Sequence, residues 1–196
     1  MVEIKNTQTY SVAEPAALGL FGLAVAALIL GAADLGLTET ANKSLMIPWI
    51  LFFGATSQIV AGIMEFKRKN IFGATVFTTY AMTMYAIAGT LIIAVFGPGN
   101  HEISHYAYGL IAILAFSIIA TFASLMTNKA LFSILIAVDL AVIALIPHYL
   151  SGFSSEPAGV FLIITSVLSF YTAAAILINT MAGKTVLPLG SPFWKP

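Results

Sequence analysis

Long stretches without Lys, Arg, Asp or Glu alternate along the chain with short polar or turn-forming breaks. Five of them, Pro15 to Ala33, Ser44 to Met64, Asn70 to Asn100, Ile103 to Asn128 and Pro157 to Gly183, are each long enough to supply the roughly 20 residues that a helix needs to cross a hydrocarbon layer. A sixth, Ala130 to Leu150, is broken only by Asp139. The breaks carry turn or charge signals: Asp34 to Lys43, Lys67-Arg68-Lys69, Gly97-Pro98-Gly99-Asn100, Thr127-Asn128-Lys129 and Ser151 to Pro157. The pattern predicts an all-α integral membrane protein of six transmembrane helices. Its short connections make neighbours antiparallel and suit three helical hairpins around a central pathway. Residues 1–14 then form an N-terminal segment, 15–183 the membrane domain and 184–196 a C-terminal tail.

Charge sets the expected orientation. An even number of spans puts both termini on one side, where Lys5, Lys67, Arg68, Lys69, Lys129, Lys184 and Lys195 fall, against Lys43 alone on the other. The positive-inside rule therefore predicts a multi-pass protein of the cytoplasmic membrane with both ends in the cytoplasm. The first fourteen residues include Glu3, Lys5 and Glu14 and lack a basic region leading into a short apolar stretch, so no removable signal peptide is expected. The basic segments at residues 65–72, 127–132 and 182–187 resemble one another, as a pseudo-threefold repeat would make them, but positive-inside pressure alone also produces that likeness.

Composition agrees with the span pattern and removes other classes. Of 196 residues, 60% are hydrophobic and 8% charged, against about 25% charged in an average soluble domain. Zero formal net charge leaves no basic footprint for nucleic acid. The absence of cysteine removes disulfides, thiolate metal sites and a cysteine nucleophile.

Polar residues inside the spans recur at helical spacing: Gly54, Gln58 and Gly62; Thr75, Thr79 and Thr83; Ser117, Thr121 and Ser124; Thr165, Ser169, Thr172 and Asn179. Such stripes face protein or water, since a polar group without a partner is costly in lipid. Close helix packing is the plain alternative. It is also the reading for Gly19, Gly22, Ala26, Ala27 and Gly31 of the first span. Because no Lys or Arg lies within a span, a small monocarboxylate would pass as an anion handed between donors such as Gln58, Thr79 and Tyr80, or as the neutral acid. Asp139, near mid-span, is either a proton-carrying group or a neutral acid bonded to a hydroxyl of the next helix. Glu14 and Glu65, at span ends, are expected at the interface.

His101-Glu102-Ile103-Ser104-His105 is a literal H-E-x-x-H, the signature of zinc proteases. It follows a Gly-Pro-Gly-Asn turn, with neither a deep hydrophobic site nor a third ligand evident from the sequence. An intramembrane protease is thus the distant alternative, and no catalytic residue, metal or cofactor is expected.

Glu14-Pro15-Ala16-Ala17-Leu18-Gly19-Leu20 resembles the Asn-Pro-Ala-Pro-Leu-Gly-Leu signature of the acetate uptake transporter family, which includes the succinate–acetate permeases. The likeness continues through residues 58–75, Gln58-Ile59-Val60-Ala61-Gly62 to Phe72-Gly73-Ala74-Thr75, and closes on Thr185-Val186-Leu187-Pro188-Leu189-Gly190. It implies a six-helix protomer assembled as a homohexamer. It implies transport of acetate and related small carboxylates, succinate among them, by proton symport or as a channel. It also implies a constriction of Phe, Tyr and Leu, whose places fall here on Leu23, Tyr80 and Val138, and a first-helix substrate contact at the place of Glu14; beside these, the polar residues of the spans offer Gln58, Thr79 and Ser169 as binding or pore-lining positions, and the mid-span acid Asp139 is the proton-coupling candidate. The smaller Leu23 and Val138 imply passage of larger monocarboxylates. Glu14 stands where the family has Asn, so its carboxylate must be protonated, paired with a cation or turned away from an anionic substrate. A neutral-solute channel resembling the urea channels is the second reading within transport.

Overall fold

In a computed structural model, residues 12–38, 40–99 and 104–195 are described. Six rods are long and apolar enough to cross a membrane: α1 (Ala16–Asp34), α2 (Lys43–Lys67), α3 (Ile71–Phe96), α4 (Ser104–Ser124), α5 (Lys129–Ser151) and α6 (Glu156–Ala182). Among the described residues all regular structure is helical. The molecule is a multi-pass membrane protein with six helical spans.

Local chemistry sets the helix ends. Asn70 and Asn128 each accept a bond from the amide three residues on, at 3.2 Å from Gly73 N and 2.9 Å from Leu131 N, and so start α3 and α5. Pro157 sits in the first turn of α6, where its missing N–H costs nothing. At the end of α2 the chain turns with Lys69 at φ 60°, Lys69 N bonding Phe66 O and Asn70 N bonding Glu65 O, both at 3.1 Å. This is the helix-stopping geometry that usually takes glycine. α2 itself is not uniform: a 3-10 stretch (Thr40–Met46) leads through a short α-helical piece (Ile47–Trp49) into a π-helical segment (Ile50–Ser57), and Gln58–Lys67 completes it as α-helix. Thr56 Oγ1 bonds Leu51 O, five residues back, at 2.8 Å, as the wider winding allows.

The rods close a ring in the order α1, α2, α3, α4, α5, α6 and back to α1, with the α3–α4 seam packed most thinly. α1 lies along α6, where a Cβ at Gly31 would come within 3.0 Å of the Gly159 carbonyl oxygen, and Ser166 Oγ donates to Ala24 O at 2.7 Å. At the face that carries the termini, the tail after Gly183 folds back over the α4–α5 turn. Ala130 N bonds Leu189 O at 3.1 Å and Trp194 N bonds Leu125 O at 3.0 Å. Asn179 belongs to this clamp, since its Oδ1 accepts from Val186 N at 2.7 Å and Leu187 N at 2.9 Å. The outer surface presents exposed Phe52, Ile71, Ile119, Phe122, Val167 and Met181, as lipid contact requires.

Candidate functional site

Two cavities lie within the ring. The one toward the far face, about 130 Å³, draws lining from all six helices, including Leu23, Lys43, Tyr80, Tyr106, Val138 and Thr165. The one toward the face of the termini, about 60 Å³, is lined by residues of α1, α2, α3 and α5 with Asn70 of the α2–α3 turn, among them Leu23, Gln58, Glu65 and Tyr80. Leu23 and Tyr80 line both cavities and Val138 the far one. All three are buried. The three family positions thus share the lining of the far-side cavity, and two of them, Leu23 and Tyr80, line the terminal-side cavity as well.

Tyr80 is held there by a hydroxyl chain. Asp139 Oδ1 accepts from Ser117 Oγ, and Asp139 Oδ2 accepts from Thr121 Oγ1 at 2.7 Å. Since Ser117 donates to Asp139, the Tyr80 hydroxyl, 2.7 Å from Ser117 Oγ, donates to it in turn. The ring of Tyr80 also meets Phe116 edge-on, at 5.5 Å between centroids. Asp139 itself lines neither cavity. Its place beside Val138 directs it toward α4 and away from the space the cavities share.

The remaining candidates divide. Gln58 is fully buried and lines the terminal-side cavity; its Nε2 donates to Gly54 O at 2.6 Å and its Oε1 has no partner. Glu14, Thr79 and Ser169 lie outside both cavities. Glu14 is paired with a cation, its Oε2 2.6 Å from Arg68, while its Oε1 accepts from Ala16 N at 3.2 Å. This pairing, led by the Glu14 hydrogen bond, pushes the Arg68 guanidinium further above its already high value. Thr79 lines a groove on the thin α3–α4 seam. Ser169 is fully buried with an unpartnered Oγ, inside the packed wall of α6.

The polar stripes are in large part packing devices. Thr83 bonds Thr79 O at 3.0 Å, Thr165 bonds Phe161 O at 2.9 Å and Thr172 bonds Leu168 O at 2.7 Å, each one turn back on its own helix. Ser117 and Thr121 instead spend their hydroxyls on a side chain of another helix, Asp139 of α5.

One expectation is corrected. Glu65 does not sit at the interface: its side chain is 1% exposed and lines the terminal-side cavity. The turn at Lys69 folds Asn70 back over it, so that Asn70 Nδ2 donates to Glu65 Oε2 at 3.0 Å, with Arg68 3.7 Å away. Sequence reasoning also passed over the far-side lining of Lys43, Tyr106 and Tyr149. Charge and aromatic position near span ends is the signal that was there to use. His101 and Glu102 lie outside the described residues, and His105 is exposed. Among the described residues, no three His, Asp or Glu side chains are grouped so as to hold a metal ion.

Comparison with known proteins agrees with this architecture. The solved structure described as the bacterial acetate channel SatP matches with a TM-score of 0.85 at 24% identity, over 92% of this chain and 100% of that one, which establishes the fold. The succinate-acetate/proton symporter SatP of Escherichia coli K12 is 27% identical over 191 residues, covering 91% of this chain and 95% of that protein. Acetate permease A of Emericella nidulans is 24% identical over 210 residues, covering 98% of this chain and 70% of the permease. The model of the GPR1/FUN34/yaaH family matches residues 1–190, and the chain belongs to that family.

Proposed function

We propose that this chain moves acetate and related small monocarboxylates across a membrane, through the two cavities that meet at Leu23, Tyr80 and Val138. The observation that carries this reading is the sharing of Leu23 and Tyr80 between cavities that reach toward opposite faces of the ring. A narrow apolar junction between wider, partly polar spaces strips bulk water from a solute at one point while leaving it solvated on either side. The chain is a transport protein and not an enzyme. Its relatives named for a function in transport are a symporter, a permease and a channel.

The basic residues of the α2–α3 and α4–α5 turns and of the tail support the reading that the face of the termini lies in the cytoplasm, in a cytoplasmic membrane. We further propose assembly as a homohexamer, with one pathway per protomer, a reading that the resemblance to the acetate uptake transporter family supports. Asp139 has both oxygens engaged by α4 hydroxyls and lines neither cavity, so we assign it the holding of Tyr80 rather than contact with the solute. Succinate, with its second carboxylate, is a poorer fit than acetate to the small terminal-side cavity.

Radiolabelled acetate uptake into proteoliposomes, with and without an inward proton gradient, tests the reading. Uptake above that of protein-free vesicles, accelerated by the gradient, is the expected result. Urea uptake of equal size without acetate uptake would instead favour the neutral-solute channel.

A further inference from the structure

The polar chemistry of the two cavities is unequal. The far-side cavity offers donors: the ammonium of Lys43 and the hydroxyls of Tyr106 and Tyr149, whose rings meet at 4.7 Å and which make no hydrogen bond among the described residues. Asp34 lies in the same lining. A carboxylate can be received there. Past Leu23 and Tyr80 the balance reverses. The terminal-side cavity holds the buried carboxylate of Glu65 and the unpartnered, fully buried Gln58 Oε1. Each of its two amide nitrogens has one hydrogen engaged, Gln58 Nε2 by Gly54 O and Asn70 Nδ2 by Glu65 Oε2, the Tyr80 hydrogen is directed to Ser117, and among the described residues its lining includes no Lys, Arg, Ser or Thr. The charged groups that face Glu65 are Arg68 and Glu14, and Arg68 lies closer to Glu14, at 2.6 Å, than to Glu65, at 3.7 Å.

A buried acceptor without a donor carries an unmet desolvation cost, and a carboxylate anion, which has no hydrogen to give, cannot relieve it. A carboxylic acid can, through its O–H, and it brings no charge toward Glu65. We propose that the terminal-side cavity is a binding site for the neutral, protonated acid, with Gln58 Oε1 accepting the acid hydrogen. This rests on the carboxylate-transport reading above and specifies the species that passes.

The balance of the step is simple. An anion gathered in the far-side cavity takes one proton from water on that side, crosses the junction as the uncharged acid, and returns the proton to water on the terminal side. One carboxylate anion and one proton move together, as the uncharged acid, and no net charge crosses. Coupling to protons then requires no protein group that titrates along the path, in agreement with the withdrawn position of Asp139.

The test uses the full chain in proteoliposomes, corrected for protein-free vesicles, with acetate, acetamide and trifluoroacetate as probes. Acetamide is neutral and carries N–H donors, while trifluoroacetate presents the same carboxylate on a bulkier trifluoromethyl group and stays ionised. Expected are acetate flux that falls about tenfold per pH unit above the acid's own titration, no response to a valinomycin-imposed potential, inhibition by acetamide and none by trifluoroacetate. Gln58→Leu should weaken acetamide inhibition severalfold, and Glu65→Gln, which removes the buried charge, should admit trifluoroacetate. Flux that persists at alkaline pH and follows the potential, or inhibition by trifluoroacetate but not acetamide, overturns the proposal while leaving carboxylate transport standing. Absence of acetate flux at every pH overturns the transport reading itself.

Discussion

The carboxylate of Glu14 and the guanidinium of Arg68 meet at 2.6 Å, joining the segment before α1 to the turn between α2 and α3. Glu14 occupies the place of an Asn in the signature that the sequence resembles, and the ion pair is what makes an acidic group tolerable there. Both side chains are about one-third exposed, 28% for Glu14 and 33% for Arg68, so solvent screens the pair and its expected coupling is about 0.2–1 kcal/mol. The bond raises the proton affinity of Arg68, so while the Glu14 carboxylate is ionised that share of the stability is fully present below the ordinary arginine value and is lost as pH rises into extreme alkalinity. A double-mutant cycle of Glu14→Ala and Arg68→Ala, read as thermal unfolding in detergent, should return a coupling within that range, unchanged from neutral to moderately alkaline pH. Because Glu14 lines neither cavity, Glu14→Asn should leave acetate flux within about twofold.

The link from Tyr80 through Ser117 to Asp139 yields a separation of roles. Ser117→Ala removes the partner of two groups at once and should destabilise the bundle by about 1–3 kcal/mol. Asp139→Asn keeps an acceptor for one α4 hydroxyl and an amide that the other can accept from. It should therefore lower the amount of acetate moved without altering how flux depends on pH. Flux measured across a pH series for both variants checks this; a flattened pH profile in Asp139→Asn alone would return Asp139 to the role of proton carrier.

Side-chain volume at the junction should set substrate size. Leu23→Phe combined with Val138→Leu brings the junction to the residues of the family likeness. Where a pocket discriminates by a methylene or two, selectivity changes of about tenfold are usual. The double variant should keep acetate uptake and lose propionate and lactate uptake by about that factor, in parallel assays with the unaltered chain. Equal loss of all three acids would place the size filter elsewhere.

Glycine positions allow a stability comparison free of transport. A Cβ at Gly22 would run into Ser57 and the Phe53 carbonyl of α2, whereas one at Gly89 meets nothing within 4 Å. Gly22→Ala should cost about 1–3 kcal/mol through overpacking. Gly89→Ala, in the open interior of α3, should gain about 0.5–1 kcal/mol by limiting backbone freedom. Thermal unfolding of both variants in one detergent gives the comparison.

The spans were legible because scarcity of charge over some twenty residues has few other causes, and the turns because Asn70, Asn128 and Gly183 are capping residues in the expected places. Packing across helices was not. Serine and threonine at helical spacing read alike whether they line water, bond their own backbone as Thr165 and Thr172 do, or reach a neighbour as Thr121 does. Glu65 was misjudged because its distance from Lys67 along the chain suggests an interface, while burial depends on the left-handed turn at Lys69 that lays Asn70 over it. The π-helical winding of Ile50–Ser57 leaves no periodic mark in so uniformly apolar a segment. The three junction positions came from family likeness alone, since Leu23 and Val138 are indistinguishable by pattern from lipid-facing residues.

The chain contains no cysteine, so a single introduced thiol reports one position without background. Leu23→Cys in proteoliposomes, treated with a small water-borne thiol reagent and assayed for acetate uptake, probes the junction directly. Modification should abolish uptake, and acetate present during treatment should slow the modification. Uptake that continues unchanged after the thiol is shown to be modified would mean that the solute does not pass between Leu23 and Tyr80.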